Sequence, residues 1–532
     1  MRQRRSLLIG AALLWIAGCG DGSHGTGGAG GTGGRGGTGG MGGTGGMGGT
    51  GGMGGTGGMG GTGGMGGTGG TGGGGGTEIT GTAIVTYVTD TGPVMAPADL
   101  SSLQLLVPDG SGGFSTLPVQ TQPDGSFHAS SVPQSSYYLK LQTGYLVTSA
   151  RTVDLGWVQL GRPDAVRATS QTDLIFNVTG MNAWQDLDWL EFFSTNAGSA
   201  DYIFAPTAGD TALTNFDEPY WQNAYQPNLI DATKGDTTLL TQLVSAVGTN
   251  VDYQALAKLW RPPSFTMTNG QSTTLTGAFS DVPATRSFSA QNIKRGLFNQ
   301  VARAMHPSQA TMTFGVGLNL ATQPGGDVAD GALFGPDLVF ANAAQGETDL
   351  SVGPMSYGDP FPVEWKRVAA ASIFALVPTT LPNNVHARQF GLVDYSAEAV
   401  AFGSTPIAPL VGPVRDLRVG SRDATGGQTL TGVTATPTVS WSAPQGLGTP
   451  TGYHVVVTHH YLQAGLSRNT PVAALTTTDT TVTIPPGVLM SGEYYSLRIE
   501  SLVVTGVDLS QHPSRSAFPN GRASLLSAFL TP

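Results

Sequence analysis

Along most of the chain, apolar residues come in short runs broken by Gly, Pro, Asp and Asn. That punctuation predicts strands more than helices. In the segment from Glu78 to Thr179, residues 79–85, 103–107 and 137–141 alternate as strands. The stretch Pro123-Asp124-Gly125-Ser126-Phe127 reads as a turn, because Gly takes a positive φ freely. Near the C-terminus, 437–441 and 452–457 alternate too, and Tyr495, Leu497 and Ile499 share one face at period two. The middle, about 180–410, mixes strands near 311–320 and 338–342 with two or three helices. Asp236 is predicted to cap a helix carrying Leu239, Leu240, Leu243, Val244 and Val247, ended by Gly248. Ile293, Leu297 and Val301 recur at helical spacing until His306-Pro307 stops them. The expected fold class is mainly β: several β-sandwiches, a few helices in the middle region, and a disordered Gly-rich tether in front.

Two segments break this pattern. Residues 7–17 are an apolar run behind Arg2, Arg4 and Arg5. A permanent membrane helix needs about 20 residues, so this shorter run reads as a secretory signal. From Gly20 to Gly76 the chain is nearly all Gly, Thr and Met in the repeat GGTGGM, with Met41, Met47, Met53, Met59 and Met65 evenly spaced. Such a segment buries too little apolar surface to offset its backbone entropy and is expected to stay disordered. A Gly-rich coil of this length reaches about 40 Å in r.m.s. terms.

The signal run ends Ile16-Ala17-Gly18-Cys19, which resembles the lipobox of bacterial lipoproteins. The resemblance implies that 1–18 is removed and that Cys19 carries a diacylglycerol as the mature N-terminus. Each buried acyl CH₂ then contributes about 0.8 kcal/mol to membrane binding. Gly20 stands where Asp would retain a Gram-negative lipoprotein at the inner membrane, which favours the outer membrane. Cys19 is the only cysteine, so intramolecular disulfides are excluded and the folded part rests on its cores.

Two further resemblances cover parts of the body. Ile79-Thr80-Gly81, Asp124-Gly125-Ser126-Phe127 and Tyr138-Leu139-Lys140-Leu141 before Gly144-Tyr145 resemble the carboxypeptidase-regulatory-like (transthyretin-like) β-sandwich, over 78–179. In that family the module is a spacer or binding accessory, and Ser stands here for the Gly usual before its Tyr strand. Residues 413–532 resemble a fibronectin type III domain. The core tryptophan strand would be Pro437-Thr438-Val439-Ser440-Trp441, and Leu489-Met490-Ser491-Gly492-Glu493-Tyr494-Tyr495 matches the family's L-x-x-G-x-x-Y run. Tyr495 sits where a tyrosine corner would close. The region 180–410 is unassigned.

Composition narrows the function. Of 25 basic residues the signal takes Arg2, Arg4 and Arg5, leaving 22 against 35 acids, a net of −13. No basic stripe for nucleic acid or polybasic patch for anionic lipid is present. There is no G-x-S-x-G nucleophile and no H-E-x-x-H metal motif. Tyr220, Trp221 and Tyr225 interleave with Asp217, Glu218, Gln222 and Asn223. Flat aromatic faces beside carboxylates and amides suit a sugar ring, though an ordinary loop over tucked aromatics is the plainer alternative. Asp186, Asp188 and Glu191 could hold Ca²⁺ through oxygen, against a reading as solvated carboxylates on a strand. Asp327 and Asp330-Gly331 read as a turn, and His459 and His460 as opposite faces of one strand, His459 inward and His460 outward.

The sequence therefore points to a lipid-anchored envelope protein, non-catalytic, presenting β-modules for adhesion or surface-polymer binding. The alternative is a surface hydrolase of polysaccharide or peptide with its active site in 180–410. The ligand residues expected are Trp221, Tyr220, Tyr225, Asp217 and Glu218, with Cys19 lipidated and no cofactor or metal. Expected partners are the membrane, through the lipid, and a carbohydrate or surface protein; nucleic acid is not among them.

Overall fold

The computed structural model describes residues 78–110, 112–204, 206–218, 228–306, 312–313, 315–329 and 335–532. Cys19 and the repeat segment lie outside them. The described chain is mainly β, in several sheets, with α-helices only at Arg295–Arg303 and Ala399–Phe402. Among the described residues no helix is long and apolar enough to cross a membrane.

The N-terminal part is a sandwich. One sheet runs Thr152–Asp154, Ile79–Thr82, Ser126–Ala129, Gln120–Thr121; the facing strands are Phe114–Leu117, Gln104–Pro108, Tyr137–Leu141 and Gly144–Thr148. Ile79, Leu105, Phe127, Tyr137, Leu139, Leu146 and Val153 fill the space between them. Burying each such side chain contributes about 1.5–3 kcal/mol. Gly81 is required for this packing: a Cβ there would lie 2.3 Å from the Phe127 ring and 2.6 Å from the Val153 carbonyl oxygen. The strand Leu174–Thr179 pairs with Ala212–Glu218 and Thr273–Ala278 from the middle region.

The middle region is built on a long antiparallel sheet. Its order is Ser199–Ile203, Trp189–Ser194, Leu239–Ala246, Tyr253–Trp260, Asp337–Ala343, Val316–Gln323, Lys366–Thr380, His386–Glu398. The helix expected after Asp236 does not form; Leu239–Ala246 is a strand of this sheet. The reason is burial on both faces. Leu239 and Leu243 enter one core, while Leu240 enters another with Leu190, Phe192 and Trp260. A strand buried on both sides is continuously apolar and imitates helical spacing. Asp236, expected as a cap, instead accepts Arg162 Nε at 2.9 Å and the Asp231 backbone N–H at 2.7 Å. The second helix does form, as Arg295–Arg303, with Phe298 and Val301 buried; Ile293 closes the strand before it.

The C-terminal part pairs a sheet of Arg422–Asp423, Arg415–Val419, Thr438–Ser442 and Thr481–Thr483 with the strands Gly452–Gln463, Leu466–Thr477 and Tyr494–Val504. Trp441 meets Tyr453 edge-on at 5.3 Å in a core with Val455, Val457, Tyr495, Leu497 and Ile499. The Tyr495 hydroxyl accepts the Met490 backbone N–H at 3.0 Å, which closes the corner expected there. His459 does share the inward face, stacked between Tyr461 and Tyr495. His460 takes the other face but is not exposed: 1% of its surface is accessible. Phe529, clustered with Leu381, Val385 and Ala387, covers that side.

Main-chain hydrogen bonds join these parts. Ala474–Thr477 pairs in parallel with Gly144–Val147 of the first sandwich. Val393–Ser396 of the middle sheet pairs antiparallel with Asn520–Ala523. The result is one hydrogen-bonded sheet running through all three parts.

Candidate functional site

The expected ligand segment is only partly described. Tyr220, Trp221 and Tyr225 lie outside the described residues. Asp217 and Glu218 end the strand Ala212–Glu218, opposite Ile175 and Leu174. Neighbours on a strand face opposite ways, and Asp217 is exposed while Glu218 is half-buried. Burial, and then the Asp217 charge, push the Glu218 carboxyl up to about 7. Asp201, 2% exposed on the strand Ser199–Ile203, feels Glu218 in turn. Burial and that charge hold it well above the usual carboxylate range.

The three acids Asp186, Asp188 and Glu191 do not form one site. Asp186 is exposed in a turn. Asp188 is buried and fully used: it accepts the Ser245 N–H at 2.8 Å, the Ser245 hydroxyl at 2.9 Å and the Gln185 N–H at 3.0 Å. Glu191 is 1% exposed, so the reading of solvated carboxylates fails for both Asp188 and Glu191. Both faces of this strand are covered by core. Asp327 lies in a short 3-10 turn, ion-paired to Lys366 at 2.9 Å; Asp330 and Gly331 lie outside the described residues.

Glu191 instead meets residues distant in sequence. Its Oε2 accepts the Asp337 backbone N–H at 2.9 Å. Asn319 Nδ2 donates to Asp337 Oδ1 at 2.9 Å, and the Tyr202 hydroxyl donates to Oδ2 at 3.4 Å. Tyr202 stands directly across from Glu191 in the strand pairing. Asp337 is 6% exposed and Asn319 8%. Burial, and then the charge of Asp337, hold the Glu191 carboxyl well above its ordinary value. Burial also pushes Asp337 up to about 6, against the pull of the Asn319 and Tyr202 hydrogen bonds. Two buried carboxyls on one site cannot both ionise cheaply. Chemically the group can share a proton or hold a cation.

Sequence reasoning singled out Glu191 but missed Asp337 and Asn319. The available signal was a polar residue inside the run Leu318-Asn319-Leu320 and an acid opening the strand at 337. Among the described residues no three His, Cys, Asp or Glu side chains converge as a metal site. One open cleft of about 580 Å³ is lined by Arg261, Asp281, Pro283 and Asp359, and another of about 560 Å³ by Leu297, Arg415 and Arg418. Neither is lined by Glu191 or Asp337.

No family model matches the chain, and no curated sequence does. Among solved structures, the chain is similar to chicken CNTN1 FN1–FN3 domains at 8% identity and a TM-score of 0.12, covering 84% of this chain and 99% of that one. It is similar to a Salmonella alpha-2-macroglobulin reacted with methylamine at 9% identity and a TM-score of 0.12, covering 82% of this chain and 28% of that one. The native conformation of the E. coli alpha-2-macroglobulin gives 10% and 0.12, with coverages of 80% and 26%. Likenesses at this level carry no argument about fold or function.

Proposed function

We propose that this protein is a lipid-anchored envelope protein that displays a rigid β body for adhesion or capture of a surface polymer, without catalysing a reaction. Cys19 carries the lipid, residues 19–76 serve as the tether, and the outer membrane of a Gram-negative cell is the site. The N-terminal sandwich acts as a carboxypeptidase-regulatory-like spacer and the C-terminal one as a fibronectin type III-like module.

The observation that carries the display reading is the joining of the modules through backbone hydrogen bonds. Modules tied by linkers reorient by default. Here a parallel pairing at Ala474–Thr477 and an antiparallel one at Val393–Ser396 fix neighbouring modules strand to strand. A body without such hinges suits presentation better than a catalytic cycle of opening and closing.

The ligand in this reading is a polysaccharide, bound at the aromatic and acidic segment that Asp217 and Glu218 introduce. The test is a polysaccharide array probed with the full chain purified in detergent. Binding to a bacterial or plant glycan that Trp221→Ala abolishes is the expected result. Silence across the array would remove the sugar and leave a surface protein as the partner.

A further inference from the structure

The cleft of about 580 Å³ beside the strand Tyr253–Trp260 holds a cation that no acid meets. Its size falls in the usual range for small-ligand sites, about 300–1,000 Å³. The two acids of its lining are already committed. Asp281 lies 2.7 Å from Lys258 Nζ, and Asp359 accepts Arg367 Nε and Nη2, each at 2.8 Å. Arg261 also lines the cleft, is exposed, and has no ion pair or hydrogen bond among the described residues. With each acid matched to its own cation, one positive charge is left over, in a chain whose net charge is −10. Arg286 stands outside the lining, across from Tyr357 in the strand pairing, and adds to the positive field.

The walls are fixed before any ligand arrives. Lys258 pairs with Asp281 and Leu259 with Ser280 across two strands. The Val282 backbone N–H donates to the Ala257 carbonyl at 2.9 Å, and the Gly358 N–H to the Leu256 carbonyl at 3.1 Å. Gly358 is required for this approach, because a Cβ there would lie 2.4 Å from Val282 Cγ1. Arg261 is followed by Pro262 and Pro263. A residue before proline is held to extended backbone, so the arginine is presented from a stiff segment.

These groups select a ligand chemistry. A guanidinium fork matches a carboxylate through two parallel hydrogen bonds. A phosphate brings more charge than the single spare cation of the lining, and no helix N-terminus lines the cleft to hold it. Ser280 and Thr285 add hydroxyls, and Asp281, its side chain 86% exposed, adds an acceptor. Pro283 and Pro360 give apolar surface beside them. A uronic-acid ring carries one carboxylate, several hydroxyls and an apolar CH face, and so meets all of these at once.

We propose that this cleft binds a uronic-acid unit of an acidic polysaccharide. Arg261 takes the carboxylate, Ser280, Thr285 and Asp281 the hydroxyls, and Pro283 and Pro360 the ring face. Neither Asp217 nor Glu218 lines the cleft, and its assignment does not depend on the display reading above.

The test is calorimetry on the full chain in detergent, titrated with oligomers of galacturonate, of mannuronate and guluronate, and of glucuronate. Binding to at least one of them is expected. It weakens as NaCl is raised and is lost when the carboxylates are methyl-esterified. Arg261→Gln weakens it about tenfold to a hundredfold, the worth of a hydrogen bond to a charged group. Arg261→Lys, which keeps the charge without the fork, falls between. Circular dichroism checks that the variants are folded, and if one is not, the acid and ester titrations of the wild type still decide. Silence toward all three acids would overturn the site. So would equal binding of acid and ester, an unchanged affinity in Arg261→Gln, or an equal response to dextran sulfate, the mark of a general anion patch.

Discussion

Two sets of buried carboxylates sit in the same continuous sheet, and only one of them is met by basic side chains. At the junction of the middle and C-terminal strands, Arg522 Nε lies 2.9 Å from Asp394 and its Nη1 4.0 Å from Glu500. Arg498 adds a contact to Glu500 at 3.0 Å and His454 one at 3.3 Å. Burial alone would raise the Glu500 carboxyl, but Arg498, His454 and Arg522 together hold it far below the ordinary range. Asp394 has Arg522 alone and Glu500 as a like charge, so burial leaves it raised. In the middle sheet, Glu191 and Asp337 have no basic partner among the described residues, and both are raised. The lesson is that burial does not decide ionisation by itself. The count of opposing charges within reach decides it.

The largest test of this contrast is to remove the shared arginine. Arg522→Met leaves Asp394 and Glu500 short of a partner across the module junction. It should destabilise the protein by about 3–5 kcal/mol in denaturant unfolding near neutral pH. A loss below about 1 kcal/mol, typical of an exposed pair, would break the comparison.

His460 gives the next effect. It is buried against Phe529, with Nε2 2.8 Å from Ser496 Oγ and no hydrogen-bond partner for Nδ1 among the described residues. Burial, helped by the nearby His459, lowers it from 6.5 to about 4. Between those values the unfolded chain binds more protons than the folded one, so stability rises with pH across that window. The loss on acidification from 6.5 to 4 is about 3 kcal/mol, and His460→Gln should abolish that slope. A variant with the wild-type slope would contradict the assignment.

Asp337 acts with the opposite sign and a smaller size. Its folded value is raised from 3.8 to about 6, so the folded chain holds the proton more tightly in that window. Stability falls as pH rises through it, by about 2 kcal/mol. Asp337→Asn should therefore be more stable than the wild type near neutral pH, with the gain fading below pH about 4. The His460 and Asp337 terms oppose each other over nearly the same range, so His460→Gln and Asp337→Asn should change the slope of the profile in opposite directions.

The sequence disclosed some elements well and others poorly, for physical reasons. Strands whose second face carries polar side chains were legible: in Tyr494–Val504, Tyr495, Leu497 and Ile499 alternate with Ser496, Arg498 and Glu500, although that face is largely buried too. The strand Leu239–Ala246 was not, since cores on both sides erase the alternation. The helix Arg295–Arg303 was legible because one face packs and the other does not. At the candidate site, Glu191 was visible as an acid among aromatics. Its partner Asp337 is 146 positions away and joined only by tertiary pairing. A residue list cannot show that Asp188 goes to Ser245 while Glu191, three positions on, goes elsewhere.

Anchoring and display both depend on Cys19. The measurement is mass spectrometry of the N-terminal peptide from the native protein, with membrane fractionation of Cys19→Ser beside it. The expected result is a mature chain beginning at an acylated Cys19, found in the outer-membrane fraction, and a variant that leaves that fraction. An unmodified Cys19, or a Cys19→Ser protein still held in the membrane, would contradict it.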